Sequence, residues 1–268
     1  MKITKIHPLV WVFHELVKNP QEIIDFYEAN NKWEDWWTRG KYSPIKEIEP
    51  RNYKKFPSKE EFDNNLFESG LKTKNDTITK EITDAIHKAS EIFFKENHPD
   101  IEDLYFLSFD IAKYYPGGYM TYHTDYIQEK YFLPGFKFHT TVLFYPNDNY
   151  EGGEISFLEF DDKEKNILWY KDYKPKAGDV VIFSTKPPIY HGVLENKSAE
   201  KYIVRTYWRT IEEETDEWKE GIKTYGEEKW NELQEERVKK MHAYQLHIPL
   251  DGRNFTITTI PEEKEDEE

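Results

Sequence analysis

At Leu104 the spacing of apolar side chains changes from helical to extended, and this switch constrains the fold more than any other feature of the chain. Upstream, Ile78, Ile82, Ile86, Ala89 and Phe93 recur at three- and four-residue steps, which predicts a helix over 77–97. From Leu104 onward, Tyr105, Leu107, Phe109 and Ile111 alternate with Phe106, Ser108, Asp110 and Ala112, the two-residue period of a strand. Short β-rich runs then recur at 138–145, 154–160, 166–170, 179–184, 190–194 and 201–209. Turn formers separate most of them: Pro116-Gly117-Gly118, Pro146-Asn147-Asp148, Glu151-Gly152-Gly153 and Ala177-Gly178-Asp179. About eight closely spaced strands predict a sandwich or barrel of the jelly-roll kind.

The flanks read differently. Residues 1–100 are predicted to be mainly helical, with a helix opening at Asn19-Pro20 and carrying Ile23, Ile24, Phe26 and Tyr27. Trp33, Trp36 and Trp37 fall between helices in a loop-like stretch, where they either plug the core or border a substrate cleft. After Thr210 the pattern is helical again to about Ala243, and Asp251-Gly252 suits a hairpin turn over 244–260. The expected class is therefore α+β with a mainly β core at 101–210. Residues 1–100 form a helical support region, 211–261 a helix and hairpin extension of the same domain, and 262–268 a disordered acidic tail.

Composition excludes several classes. The 17 Phe, 19 Tyr and 8 Trp supply ample core material, unlike a disordered chain. The net charge of −15 would repel phosphate backbones, which argues against nucleic acid as a partner. Six acids and one Lys lie in 262–268, and eleven acids and four bases in 211–237, so the rest of the chain is only mildly acidic. The 211–237 stretch reads as a solvated helix face, with attraction of a basic peptide the lesser alternative. With no cysteine there is no disulfide framework and no thiolate metal site. The longest wholly apolar run, 9–13, falls far short of the ~20 residues of a membrane span. With no leader-like segment at the start, the cytoplasm is the expected compartment. No coiled-coil repeat points to an oligomeric state.

Two His-x-Asp triplets occur, His98-Pro99-Asp100 and His123-Thr124-Asp125, where chance placement gives roughly 0.6. The first follows a polar helix end and precedes a proline, which marks it as a boundary. The second is embedded in the strand-rich part. On an extended segment residues i and i+2 share a face, so the imidazole and carboxylate converge and a metal can bridge them. Two protein ligands hold a labile ion poorly, and a second imidazole would complete a 2-His-1-carboxylate iron(II) site. His191, opening the apolar segment His191-Gly192-Val193-Leu194, is the candidate. His139 reads as a structural strand residue.

With these residues in place, 104–209 resembles the Fe(II)- and 2-oxoglutarate-dependent dioxygenases, in particular their prolyl 4-hydroxylase-like branch. Tyr115-Pro116-Gly117 before His123-Thr124-Asp125 is similar to that branch's approach to the metal motif, and Glu151-Gly152-Gly153-Glu154 with Phe157 resembles its Gly-Gly-Glu strand. Residues 175–183 resemble the strand before the distal histidine, and His191-Gly192-Val193 the distal motif. The resemblance implies a double-stranded β-helix with His123, Asp125 and His191 as metal ligands and catalytic residues. It implies Fe(II) and O2 as cofactors, 2-oxoglutarate as co-substrate, and ascorbate among the accessory candidates. It also calls for a cation on the co-substrate's distal carboxylate: Lys201, ten residues past His191, first, and Arg205, on the same strand face, second. Tyr115 and Tyr145 match tyrosines that hold the co-substrate.

The implied reaction is hydroxylation of an unactivated C–H bond with release of succinate and CO2. The partner is a small-molecule or peptide substrate, either a prolyl peptide or another amino-acid-like molecule. Asp125 favours hydroxylation, because related halogenases replace this carboxylate with a small residue. Two rival classes use parts of the same pattern: a zinc hydrolase built on the same three ligands, and a non-catalytic jelly-roll binding module.

Overall fold

A run such as Val180-Val181-Ile182-Phe183 is apolar on both faces and suits a strand covered on both sides. A computed structural model describes residues 1–30, 32–36, 38–44, 51–68, 77–106, 110–125, 136–161, 166–184, 189–211, 216–230 and 232–233, and in it all four of these side chains are fully buried. They form β12 (Val180–Ser184), an inner strand of a large sheet. The order along that sheet is β1 (Lys2–His7), β2 (Val10–His14), β12, β9 (Phe136–Phe144), β14 (Lys201–Ile211), β7 (Asp110–Tyr114), β4 (Gly40–Pro44) and β3 (Glu34–Trp36). Off this path, β6 (Leu104–Phe106) pairs with β14, and β5 (Arg51–Tyr53) pairs with β6. A second sheet runs β11 (Asn166–Tyr173), β10 (Ile155–Asp161), β13 (Ile189–Val193) and β8 (Met120–His123). The pairings of both sheets are antiparallel.

Alternation along each strand divides the interior in two. Val10, Val12, Ala112, Tyr114, Leu143, Tyr145, Val181, Phe183 and Ile203 point toward the second sheet and meet Met120, Ile155, Phe157, Ile189 and Val193 there. Their neighbours Trp11, Phe13, Val142, Phe144, Val180, Ile182 and Val204 point the other way. That outer face is covered by α1 (Pro20–Asn30), α2 (Lys59–Glu68) and α3 (Thr77–Asn97) through Ile23, Tyr27, Phe62, Leu66, Ile86 and Phe93. Trp208 anchors the layer: its indole donates to Ser90 Oγ at 2.9 Å, and Phe56, Phe62, Phe94 and Phe106 surround it at ring separations of 4.9 to 6.0 Å. Each such buried ring contributes about 1.5–3 kcal/mol. The arrangement of two facing antiparallel sheets is that of a jelly roll. No helix among the described residues is long and apolar enough to cross a membrane.

The first hundred residues carry strands as well as the expected helices. The helices over 20–30 and 77–97 are present, but five strands, β1 to β5, accompany them and extend the large sheet. The apolar run at 9–13 is the reason for β2, since Val10 to Phe13 is too short for a helix and is buried on both faces between β1 and β12. Trp36 ends β3 rather than lying in a loop, and Trp37 lies outside the described residues. The C-terminal helix begins as α4 (Asp216–Tyr225) and stops at Gly226, whose φ of +78° suits a left-handed cap. The rest of that extension beyond residue 233, the 244–260 hairpin and the acidic tail lie outside the described residues.

Candidate metal centre and co-substrate pocket

His123 closes β8 and stands directly opposite His191 of β13, with ring centroids 4.2 Å apart. Gly192 allows this approach, because a Cβ there would lie 2.9 Å from the Met120 carbonyl oxygen. Asp125, just past the end of β8, turns its carboxylate to both rings: Oδ1 is 3.4 Å from His123 Nε2 and Oδ2 is 3.7 Å from His191 Nε2. The three donor atoms all lie within 4.8 Å of one another. His123 and Asp125 thus meet although Asp125 lies beyond the strand end and not on an extended face, and the strand pairing brings His191 to them.

The hydrogen bonding around these groups suits a cation. His123 Nδ1 lies 2.8 Å from the Thr121 carbonyl oxygen and donates its proton there, which leaves the lone pair on Nε2. That lone pair and Asp125 Oδ1 face each other, an arrangement that repels unless a positive charge lies between them. Burial drives His191 down to about 3, against the pull of Asp125, so its imidazole is neutral and available as a ligand at pH 7. Burial opposes ionisation of Asp125, yet His191, His123 and the Thr141 hydroxyl, which donates to Oδ2 at 2.5 Å, hold it below the usual carboxylate range. Since His191 is itself neutral at pH 7 and the His123 proton is on Nδ1, the Thr141 hydrogen bond is the durable part of that effect. Two imidazoles and one carboxylate form the donor set of non-haem Fe(II) sites.

A second polar group lies inside the same barrel. Lys201 opens β14 opposite Tyr114 of β7 and is wholly buried. Its Nζ donates to the Gly153 carbonyl at 2.7 Å and lies 5.2, 5.4 and 5.8 Å from the ring centres of Tyr114, Tyr145 and Tyr150. The Tyr145 and Tyr150 hydroxyls are buried with no hydrogen-bond partner among the described residues. Burial, aided by Lys174, lowers Lys201 to about 7 despite Glu154. A buried ammonium beside two orphaned hydroxyls is matched to a carboxylate, which accepts from all three.

Residues 109–209 match the family model of the 2OG-Fe(II) oxygenase superfamily. Fe(II), 2-oxoglutarate and O2 are the cofactors of that superfamily, and the three-donor cluster and the buried cation suit the first two. No curated protein sequence matches the chain. Among solved structures, the viral collagen prolyl hydroxylase of Paramecium Bursaria Chlorella virus-1, in its 2OG complex, is 19% identical with a TM-score of 0.46, covering 76% of this chain and 97% of that one. A Pseudomonas putida prolyl-4-hydroxylase is 13% identical at a TM-score of 0.48, covering 75% and 92%. HygX from Streptomyces hygroscopicus, solved with nickel, 2-oxoglutarate and hygromycin B, is 10% identical at 0.45, covering 75% and 82%. These likenesses carry no argument about substrate.

Within the barrel the other sequence-predicted residues separate. Arg205 shares the inner face of β14 with Lys201, but its Nε donates to both carboxylate oxygens of Asp110 at 2.9 and 3.0 Å, and its guanidinium lies 4.9 Å from the Trp36 ring. Tyr145 lies in the Lys201 pocket. Tyr115 does not: its ring neighbours Lys113, which reaches Glu28 of α1 at 2.6 Å on the helix-covered face. Tyr114, one residue earlier and in phase with Ala112, takes the inward place. Trp36 packs on Tyr114 at 5.0 Å and so borders the barrel interior, whereas Trp33 lies against Lys113 and Tyr202 on the outer face. His98-Pro99-Asp100 is a turn after α3, and the His139 side chain lies outside the described residues. Tyr150, the Gly153 carbonyl, Asp110 and Thr141 were not legible from the sequence. Strand parity alone was enough to find Tyr114.

Proposed function

We propose that this chain is an Fe(II)- and 2-oxoglutarate-dependent oxygenase that hydroxylates an unactivated C–H bond, releasing succinate and CO2. The observation that carries this reading is one barrel interior holding both the His123, Asp125, His191 cluster and the buried Lys201. His123 and His191 would hold the metal through Nε2, and Asp125 would hold it through a carboxylate oxygen. Bound Fe(II) supplies the means to activate O2 and oxidise the C–H bond. Lys201, Tyr145 and Tyr150 take the distal carboxylate of 2-oxoglutarate, and Tyr114 walls the space between that end and Asp125. Phe157 and Phe183, 5.1 Å apart, and Phe183 against His191 at 4.5 Å keep water from the imidazole on the other side.

The substrate belongs to the same proposal. The motif resemblance to the prolyl 4-hydroxylase-like branch favours a prolyl peptide or another amino-acid-like molecule, and Trp36 is the aromatic residue placed to border its cleft. Anaerobic titration of the apoprotein with Fe(II) and 2-oxoglutarate tests the chemistry. A visible metal-to-ligand charge-transfer band is expected in wild type and not in His191→Ala; its absence from wild type would overturn the reading. Mass spectrometry for single-oxygen additions across prolyl peptides and free amino acids then tests the substrate class, and products confined to other compounds would reject it.

A further inference from the structure

Thr141 is a small polar residue in the middle of β9, a strand of the large sheet, yet its hydroxyl crosses the barrel to the aspartate that follows β8 of the other sheet. It is almost fully buried, and its donor reaches Asp125 Oδ2 at 2.5 Å. The same carboxylate presents Oδ1 to His123 Nε2. A carboxylate can bind a metal through one oxygen or two, and which it does depends on whether its second oxygen is engaged elsewhere. Here Oδ2 is engaged by a donor on a rigid strand, and Thr141 is itself held by pairing to Phe183 on one side and Tyr207 on the other.

We propose that Thr141 is a positioning residue that commits Asp125 to one-oxygen ligation through Oδ1, and thereby sets the metal affinity and the number of coordination positions left open. The proposal rests on the metal-site reading above. A valine at this position would keep the β-branched shape and lose only the donor, leaving Oδ2 free to swing onto the metal or to face a buried wall unpaired.

Co(II) is the probe, added to the full-length apoprotein and followed by its visible d–d absorption, with no need of substrate or turnover. Thr141→Val should bind Co(II) about 10–100-fold more weakly, in keeping with the loss of an outer hydrogen bond to a ligand. Its d–d band should change in position or intensity, and Thr141→Ser should restore both. Thr141→Val with wild-type affinity and spectrum would overturn the proposal, as would Thr141→Ser showing the same defect as Thr141→Val. If Thr141→Val fails to fold, Thr141→Ala against Thr141→Ser, which differ by one oxygen, makes the same comparison. Wild-type protein that takes up no Co(II) would instead remove the metal centre itself, an outcome separate from failure of the Thr141 comparison.

Discussion

Arg205 and Asp110 face each other directly across the β14–β7 ladder, with Nε bonded to both carboxylate oxygens at 2.9 and 3.0 Å. The pair engages the cation that competed with Lys201 for the co-substrate. Removing one member strands the other, and both side chains are only 23% exposed, so Arg205→Gln or Asp110→Asn should each cost about 3 kcal/mol in urea unfolding. Replacing both, as Arg205→Met with Asp110→Leu, should recover most of that loss. A double variant as unstable as the sum of the singles would show that packing around the pair, not the pair itself, is what matters.

Lys201 is expected to govern 2-oxoglutarate binding without touching iron uptake. Lys201→Met should weaken 2-oxoglutarate by roughly 10–150-fold, the equivalent of about 1.5–3 kcal/mol for a charged hydrogen bond, while Fe(II) binding in its absence stays at the wild-type level. The pH dependence has a definite sign. Free Lys201 titrates at about 7 and the carboxylate binds its protonated form, so affinity should fall by up to tenfold per pH unit as pH rises above about 7. Lys201→Arg, which stays charged, should flatten that profile. Calorimetry across pH 6 to about 9 measures it.

Gly153 has little tolerance for a side chain. Its φ is +65°, and a Cβ would lie 3.2 Å from both Lys201 Cδ and Tyr150 Cε2. Gly153→Ala should lose about 1–2 kcal/mol of stability from backbone strain alone. It should also weaken 2-oxoglutarate binding, because the turn before β10, whose Gly153 carbonyl holds Lys201, must shift. Metal uptake measured with Co(II) should be retained.

The apoprotein should lose stability in mild acid through His191. Its folded value of about 3 lies below the 6.5 of an unfolded histidine, so between those limits the unfolded chain binds more protons and falling pH favours unfolding. The slope should approach ~1.4 kcal/mol per pH unit for this one group. Urea midpoints at several pH values between 7.5 and about 4 measure it, and His191→Gln should remove this share of the slope.

The β core was legible because its signals are local. Turn formers between the runs and two-residue alternation marked most of its strands to within a few residues, and the His-x-Asp spacing kept His123 and Asp125 together even though the strand ends before Asp125. The N-terminal strands were not legible in the same way. β3 and β5 have three residues each, too few for a period to show, and β4 is strand because β7 lies beside it. Tyr115 was chosen for its place in a motif, whereas parity with Ala112 selects Tyr114. Cross-barrel partners such as Thr141 with Asp125, or Asp110 with Arg205, depend on how two sheets stack, and no spacing along one strand encodes that.

A lysine kept from water, held by one backbone oxygen and ringed by tyrosines, is a standing source of weakness in this fold. Under the proposed function, the keto acid bound there would act as ballast as well as reactant, raising the melting temperature with its concentration by mass action. A cell depleted of that metabolite would hold this protein in a more perishable form, so supply of the co-substrate would set how long each molecule lasts as well as how fast it works.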